Sequence, residues 1–245
     1  MKLALITDPK GLPVADIFRL SYHLVLAQYV RSDDKYSQYY QQRQQGGDFL
    51  IMDNGAAEDG VLKLHELKTA AQDIRPDEIV LPDVLADKEA TIALTMDPNV
   101  LDFVPPKRRA VVPQGDNPSD WLVCANYFVE NLDFVTMCVP KHTERFPGGR
   151  PALLNIIKKM RWHEYYNIHL LGIWDNPYTE VKAIVKEAPW VRGLDTALPF
   201  ALAQHGIELS SEKIGHISHT WGRKFDRTLA FRNISTLMAL MEGYE

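Results

Sequence analysis

The stretch Phe49-Leu50-Ile51-Met52-Asp53-Asn54-Gly55, followed by Glu78-Ile79-Val80-Leu81-Pro82-Asp83, decides the fold. Each is an unbroken apolar run that stops at a carboxylate. Continuous rather than alternating apolar runs mark strands buried on both faces of a parallel sheet. The pattern recurs upstream, at Leu3-Ala4-Leu5-Ile6-Thr7-Asp8 and His23-Leu24-Val25-Leu26-Ala27-Gln28. Downstream it returns at Ala110-Val111-Val112-Pro113-Gln114-Gly115, Phe134-Val135-Thr136-Met137-Cys138-Val139, His169-Leu170-Leu171-Gly172-Ile173 and Val191-Arg192-Gly193-Leu194-Asp195.

Between most of these runs lie amphipathic stretches, at Leu64 to Ile74, Ala152 to Met160 and Tyr178 to Ala188. Asn176-Pro177 is a helix start signal and Ala188-Pro189 a stop. Ser32 to Gly47, with Tyr36, Tyr39 and Tyr40 at helical spacing, reads as a further helix rather than a linker. Eight strands alternating with helices in 245 residues predict an α/β protein, a single-domain (β/α)8 TIM barrel. A doubly wound open sheet is the alternative, disfavoured because no Gly-x-Gly-x-x-Gly turn follows an early strand. Residues 1–206 are expected to form the barrel and 207–245 a helical extension packed on it, with a helix near Arg227 to Met241.

The chain carries 27 Lys+Arg against 32 Asp+Glu, a net charge of -5, and two cysteines, Cys124 and Cys138. Two cysteines exclude a disulfide framework and a cysteine-rich zinc module. The acidic balance argues against wholesale coating of nucleic acid but leaves room for local basic patches. No run approaches the length of a membrane span, and Asp8-Pro9 interrupts the N-terminal apolar residues before a signal-peptide core forms. A cytoplasmic protein is expected.

In a barrel of this type the working residues sit at the C-terminal strand ends. The polar residues that end the runs, Asp53, Asn54, Asp83, Gln114 and Asp195, are therefore expected to converge on one mouth. Such a set suits a planar hydrogen-bonding ligand, because a carboxylate accepts two N–H donors and a carboxamide offers both a donor and an acceptor. It equally suits covalent chemistry at a sugar carbon, one carboxylate attacking and another moving protons. Each Asp is also a natural helix N-cap. Pro82 and Pro113 favour shaped strand exits, and Gly55 and Gly115 permit close backbone approach or simply turns.

These residues carry a resemblance. Leu170-Leu171-Gly172-Ile173, Asn176-Pro177, Gly193-Leu194-Asp195-Thr196-Ala197-Leu198-Pro199 and Gln204-His205-Gly206 are similar to the last third of the tRNA-guanine transglycosylase barrel. Upstream, the order Asp53-Asn54-Gly55-Ala56, Pro82-Asp83, Pro113-Gln114-Gly115 resembles the base-binding motifs of that family. The likeness covers residues 20 to 206, and the small size points to the phage and bacterial DpdA-like DNA 7-deazaguanine transglycosylases.

The resemblance implies that Asp195 is the nucleophile on C1′ and that Asp53 transfers protons. It implies that Asp83 and Gln114, with Asn54 and Gly115, read a guanine-like edge, and that backbone around Met137, Cys138 and Val139 lines the same pocket. The expected reaction replaces guanine in DNA by a 7-deazaguanine base such as the 7-cyano form, with no cofactor. The partners are then a target nucleotide, unstacked or single-stranded, and the free base; a phage-encoded enzyme would work in the host cytoplasm. The tRNA enzymes carry a Cys-x-Cys-x-x-Cys…His zinc site after the nucleophile. No cysteine follows Cys138, and Leu198 to Gln204 contains no arginine. DNA is thus favoured over tRNA, and a catalytically silent base-binding barrel is a third reading.

Basic residues gather at Lys107-Arg108-Arg109, at Lys141, Arg145 and Arg150, at Lys158-Lys159 with Arg161, and at Lys213, Arg223, Lys224 and Arg227. Lys141, Arg145, Arg150, Arg223 and Lys224 are the expected phosphate contacts. Trp221 is either a platform for an unpaired base or a packing residue of the tail. His205, His216 and His219 have no acidic or thiol cluster beside them, so a metal site is not expected.

Overall fold

A computed structural model describes residues 1–55, 62–173, 177–210, 217 and 219–243. Its strands are β1 (Lys2–Leu5), β2 (Tyr22–Leu26), β3 (Phe49–Asp53), β4 (Glu78–Val80), β5 (Arg109–Val111), β6 (Thr136–Pro140), β7 (Asn167–Leu171) and β8 (Gly193–Thr196). All pairings are parallel, in the order β1-β8-β7-β6-β5-β4-β3-β2. β1 and β2 close against each other at the remaining seam, which makes a nearly closed (β/α)8 barrel of one domain. Each predicted apolar run supplies one strand, because only a strand covered on both faces tolerates so little polarity.

The helices are α1 (Leu12–Ile17), α2 (Ala27–Ser32), α3 (Asp34–Gln45), α4 (Leu64–Ile74), α5 (Lys88–Thr95), α6 (Pro98–Phe103), α7 (Pro118–Asn131), α8 (Gly149–Lys159), α9 (Pro177–Glu187), α10 (Leu198–Gln204) and α11 (Arg227–Met241). α4 shows how they attach: Leu67, Ala70, Ala71 and Ile74 recur at helical spacing and are buried. α8 begins earlier than its apolar periodicity indicated, so Arg150 falls inside its first turn. Asn176 lies outside the described residues, and α9 opens on Pro177, a position where the missing N–H costs nothing.

Helix capping separates structural from available acids. The side chains of Asp33, Asp87, Asn117 and Asp226 accept from first-turn N–H groups of α3, α5, α7 and α11. The N-caps of α4 and α10 are Lys63 and Ala197. Asp53, Asp83, Gln114 and Asp195 therefore cap none of these helices.

After the barrel the chain returns to cover it. α11 packs on α10, α9 and α1, and its buried Asn233 stitches the connection. Asn233 accepts from the Leu209 N–H at 2.7 Å and donates to the carbonyls of Pro199 and Ile207 at 3.3 and 3.1 Å. Phe225 meets Phe200 at 5.4 Å, and Trp221 meets His219 at 4.2 Å and Tyr29 at 6.0 Å. Trp221 is thus a packing residue of the tail. No helix among the described residues is long and apolar enough to cross a membrane.

Candidate active site

The carboxyl ends of the strands open on a cavity of about 280 Å3, near the lower end of the size range of small-molecule sites. Ile6, Leu24, Val80, Val112 and Leu171 make apolar walls, and Asp53, Asn54, Asp83, Gln114 and Asp195 supply the polar groups. Lys141, His142 and Arg145, from the loop after β6, complete its edge. A larger groove of about 660 Å3 follows the outer seam between α8 and α9. It contains none of the strand-end carboxylates, so the smaller cavity is the one equipped for chemistry.

Asp83 is held from both sides. Asn54 Nδ2 donates to one carboxylate oxygen and Gln114 Nε2 to the other, each at 2.6 Å. Asn54 Nδ2 also donates to the Leu81 carbonyl at 2.8 Å, and Gln114 Oε1 accepts from the Ala86 N–H at 3.0 Å. Both Asn54 amide protons are therefore engaged, and its service to a ligand is to place Asp83. Burial pushes the Asp83 carboxyl up to about 6, with the two amide donors opposing that rise. The result is a planar acceptor, fixed in orientation, facing an apolar cavity.

Asp53 ends β3, where its Oδ2 accepts from the Gly55 N–H at 2.9 Å. Asp195, on β8, is gripped at both oxygens. Oδ1 accepts from the Gly172 N–H at 2.8 Å, and Oδ2 lies 2.7 Å from His169 Nε2. Gly172 sits at φ +69, and a Cβ there would come within 2.9 Å of Lys141 Cδ. Only glycine can present its N–H from this bend.

His169 was not among the candidates drawn from the sequence. The signal was available: a histidine inside an apolar strand buried on both faces must find a partner, and it points to the same interior as Asp195.

Several sequence expectations are corrected. Arg150 is 0% exposed; it pairs with buried Glu180 and donates to the carbonyls of Leu171 and Gly172 at 3.2 and 2.7 Å. It thus holds the bend that aims the Gly172 N–H and is unavailable to a phosphate. Arg109 is likewise internal, donating to the carbonyls of Val104, Asp133 and Leu101. Met137, Cys138 and Val139 are buried within the sheet, and the β6 contribution to the cavity begins at Pro140. Cys138 lies deeper, where burial pushes its thiol up.

Gly115 lines an adjoining shallow surface with Leu85 and Asp120 rather than the cavity, and its carbonyl accepts from His142 Nε2 at 3.4 Å. Its role is close packing: a Cβ would lie 2.4 Å from the Trp121 nitrogen. Arg223 and Lys224 are exposed beside Gly222, whose N–H donates to Asp8 Oδ2 at 2.6 Å, beyond the end of β1. They are near the mouth but outside the cavity lining. His216 and Ala56 lie outside the described residues, and among the described residues no group of three His, Cys, Asp or Glu is arranged to hold a metal.

Geometry and fold together define a parallel α/β barrel whose mouth holds three buried carboxylates, one of them, Asp195, backed by the buried His169. No family model matches the chain, and no curated protein does. Solved structures do. N-acetylneuraminate lyase from Mycoplasma synoviae, crystal form II, superposes with a TM-score of 0.54 at 10% identity, over 98% of this chain and 97% of the other. Crystal form I of the same enzyme gives 0.55 at 9% identity over 99% and 97%. At such identity the likeness concerns the barrel fold alone.

Proposed function

We propose that this protein is a nucleic-acid guanine transglycosylase that exchanges guanine, in DNA, for a 7-deazaguanine base such as the 7-cyano form. The observation that carries the reading is the Asn54–Asp83–Gln114 clamp facing Asp195 across one small apolar cavity. A fixed carboxylate acceptor is what the N–H edge of a guanine-like base requires. The motif order that resembles the transglycosylases supplies the polymer and the reaction.

In this reading an Asp195 oxygen forms a bond to C1′ of an unstacked nucleotide while the C1′–N9 bond breaks. The electron pair leaves with guanine, which takes a proton from Asp53. The incoming base then returns its N9 proton to Asp53 and displaces Asp195 by attack from the face that guanine left. Two displacements retain configuration. Lys141 and Arg145 at the edge, with Arg223 and Lys224 near it, meet phosphates. The absence of a cysteine set after Asp195 favours DNA over tRNA.

Mass spectrometry of nucleosides from DNA co-expressed with this protein and a deazaguanine supply tests the proposal. Modified nucleosides are expected, together with an Asp195-dependent covalent adduct lost in Asp195→Ala. An unmodified guanine pool in DNA and in tRNA refutes it.

A second reading comes from Lys141 in the cavity lining and from the lyase among the structural neighbours. Lysine amines form imines with carbonyl substrates. Borohydride reduction with N-acetylneuraminate would then leave a mass adduct on Lys141; an unmodified Lys141 removes this reading.

A further inference from the structure

Five side chains make one hydrogen-bonded chain through the barrel interior, from the N-terminal strand ends to the cavity. Glu78 on β4 takes Arg192 in a bidentate pair at 2.6 and 2.7 Å. Arg192 Nε donates to the Tyr22 hydroxyl oxygen at 3.2 Å, and that oxygen lies 2.8 Å from His169 Nδ1. His169 Nε2 then meets Asp195 Oδ2 at 2.7 Å. Tyr22, Glu78, His169 and Asp195 are all buried.

The donor inventory gives every link a direction. A guanidinium only donates, so the Tyr22 oxygen is an acceptor toward Arg192. Burial pushes the Tyr22 phenol well above its ordinary value, so the hydroxyl keeps its one hydrogen. That hydrogen can only point at His169 Nδ1, because pointing it at Arg192 would set donor against donor. His169 Nδ1 is therefore an acceptor, and its ring proton sits on Nε2 and is donated to Asp195. This tautomer is assigned from the network as a whole.

We infer that Tyr22 and Arg192 are positioning residues that hold His169 in its neutral Nε2–H form and thereby orient Asp195 for attack. The inference rests on the transglycosylase reading for what Asp195 attacks. Its chemical value lies in the covalent intermediate. When Asp195 becomes an ester it loses its charge. A His169 imidazolium would then be a buried cation without a counter-ion, which burial strongly disfavours; a neutral imidazole leaves none. The far end of the chain is neutralised separately by the Arg192–Glu78 pair. Charge at the N-terminal strand ends thus selects the proton position behind Asp195 without entering the reaction.

The test uses the full-length protein labelled with 15N-histidine. Long-range proton–nitrogen spectra of the free protein should show His169 Nδ1 without a proton and Nε2 protonated, the signals being assigned with His169→Gln. In Tyr22→Phe this pattern should be lost. A wild-type His169 protonated on Nδ1, or on both nitrogens, overturns the inference, and so does an unchanged ring in Tyr22→Phe. The wild-type spectrum decides the assignment even if the variant folds poorly.

In guanine exchange, Tyr22→Phe should lower kcat about 10–100-fold, as loss of an outer orienting partner does, with KM for the base unchanged. Placed on His169→Gln it should lower kcat no further, because Tyr22 acts through the ring; an equal fall in both backgrounds overturns the positioning role. Absence of exchange in the wild-type protein with the expected ring pattern refutes the transglycosylase reading and leaves the proton assignment standing.

Discussion

Tyr22 occupies the space that a side chain on Gly193 would fill. A Cβ on Gly193 would lie 2.4 Å from Tyr22 Cε1 and 2.9 Å from its hydroxyl oxygen. The first residue of β8 is therefore glycine so that the ring can reach His169 across the barrel. Gly193→Ala should destabilise the fold by about 1–3 kcal/mol, the usual cost of overpacking a filled core. Urea denaturation measures it, and an unchanged midpoint would mean that Tyr22 moves aside freely.

Arg150 and Glu180 are buried together between α8 and α9. Removing Arg150 takes the guanidinium away from buried Glu180 and from the Leu171 and Gly172 carbonyls, so Arg150→Met should cost about 3–5 kcal/mol. Adding Glu180→Leu to it should recover much of that loss. Because Arg150 is internal, the salt dependence of the proposed DNA binding should not register it. Arg145→Ala, at the cavity edge, should instead reduce the slope of log affinity against log salt by about 1.

The raised carboxyl of Asp83 sets a pH dependence whose direction follows from linkage. Between its ordinary value of 3.8 and about 6, the folded protein holds a proton that the unfolded chain has released. The contribution of Asp83 to stability is therefore greatest below that window, falls as pH rises through it, and is constant above. Ligand binding should run the other way, since only the ionised carboxylate accepts from two N–H donors. Affinity for a guanine-like base should rise as pH increases through about 6. A carboxyl carbon titration of Asp83 with its midpoint in the ordinary range would contradict this.

Leu85 is 60% exposed on the cavity rim, on a segment held firmly from below. Thr91 Oγ1 bonds the Val84 N–H and carbonyl at 2.9 and 3.0 Å, and Ala86, at φ 60, is tied to Gln114. A strained, well-tethered turn that displays an apolar side chain is characteristic of a ligand contact. Leu85→Ser should change stability by no more than about 0.5 kcal/mol, the usual range for surface positions, yet weaken binding of nucleic acid or base. Equal affinities for the two proteins in fluorescence anisotropy would remove Leu85 from the site.

Much of the site was readable before the fold. Asp53, Asp83, Gln114 and Asp195 stand at the ends of apolar runs, and a parallel barrel gathers strand ends at one mouth whatever the loops do. What could not be read was burial among the basic residues. Arg145 and Arg150 are near neighbours after the same strand, yet one is exposed at the cavity edge and the other enclosed with Glu180. Nothing local separates them, because the separation depends on α9 supplying an acid.

The sequence by itself determined the strand count, the parallel order and the identity of the carboxylates. Those properties follow from where apolar runs begin and end, and each run reports its own burial. The tertiary structure alone decided the partners: that Asn54 serves Asp83, that Arg150 serves Gly172, and that a histidine in β7 meets Asp195. Hydrogen bonds join atoms brought close in space by residues far apart in the chain. Their direction, donor to acceptor, emerges only when the whole path from Glu78 to Asp195 is closed.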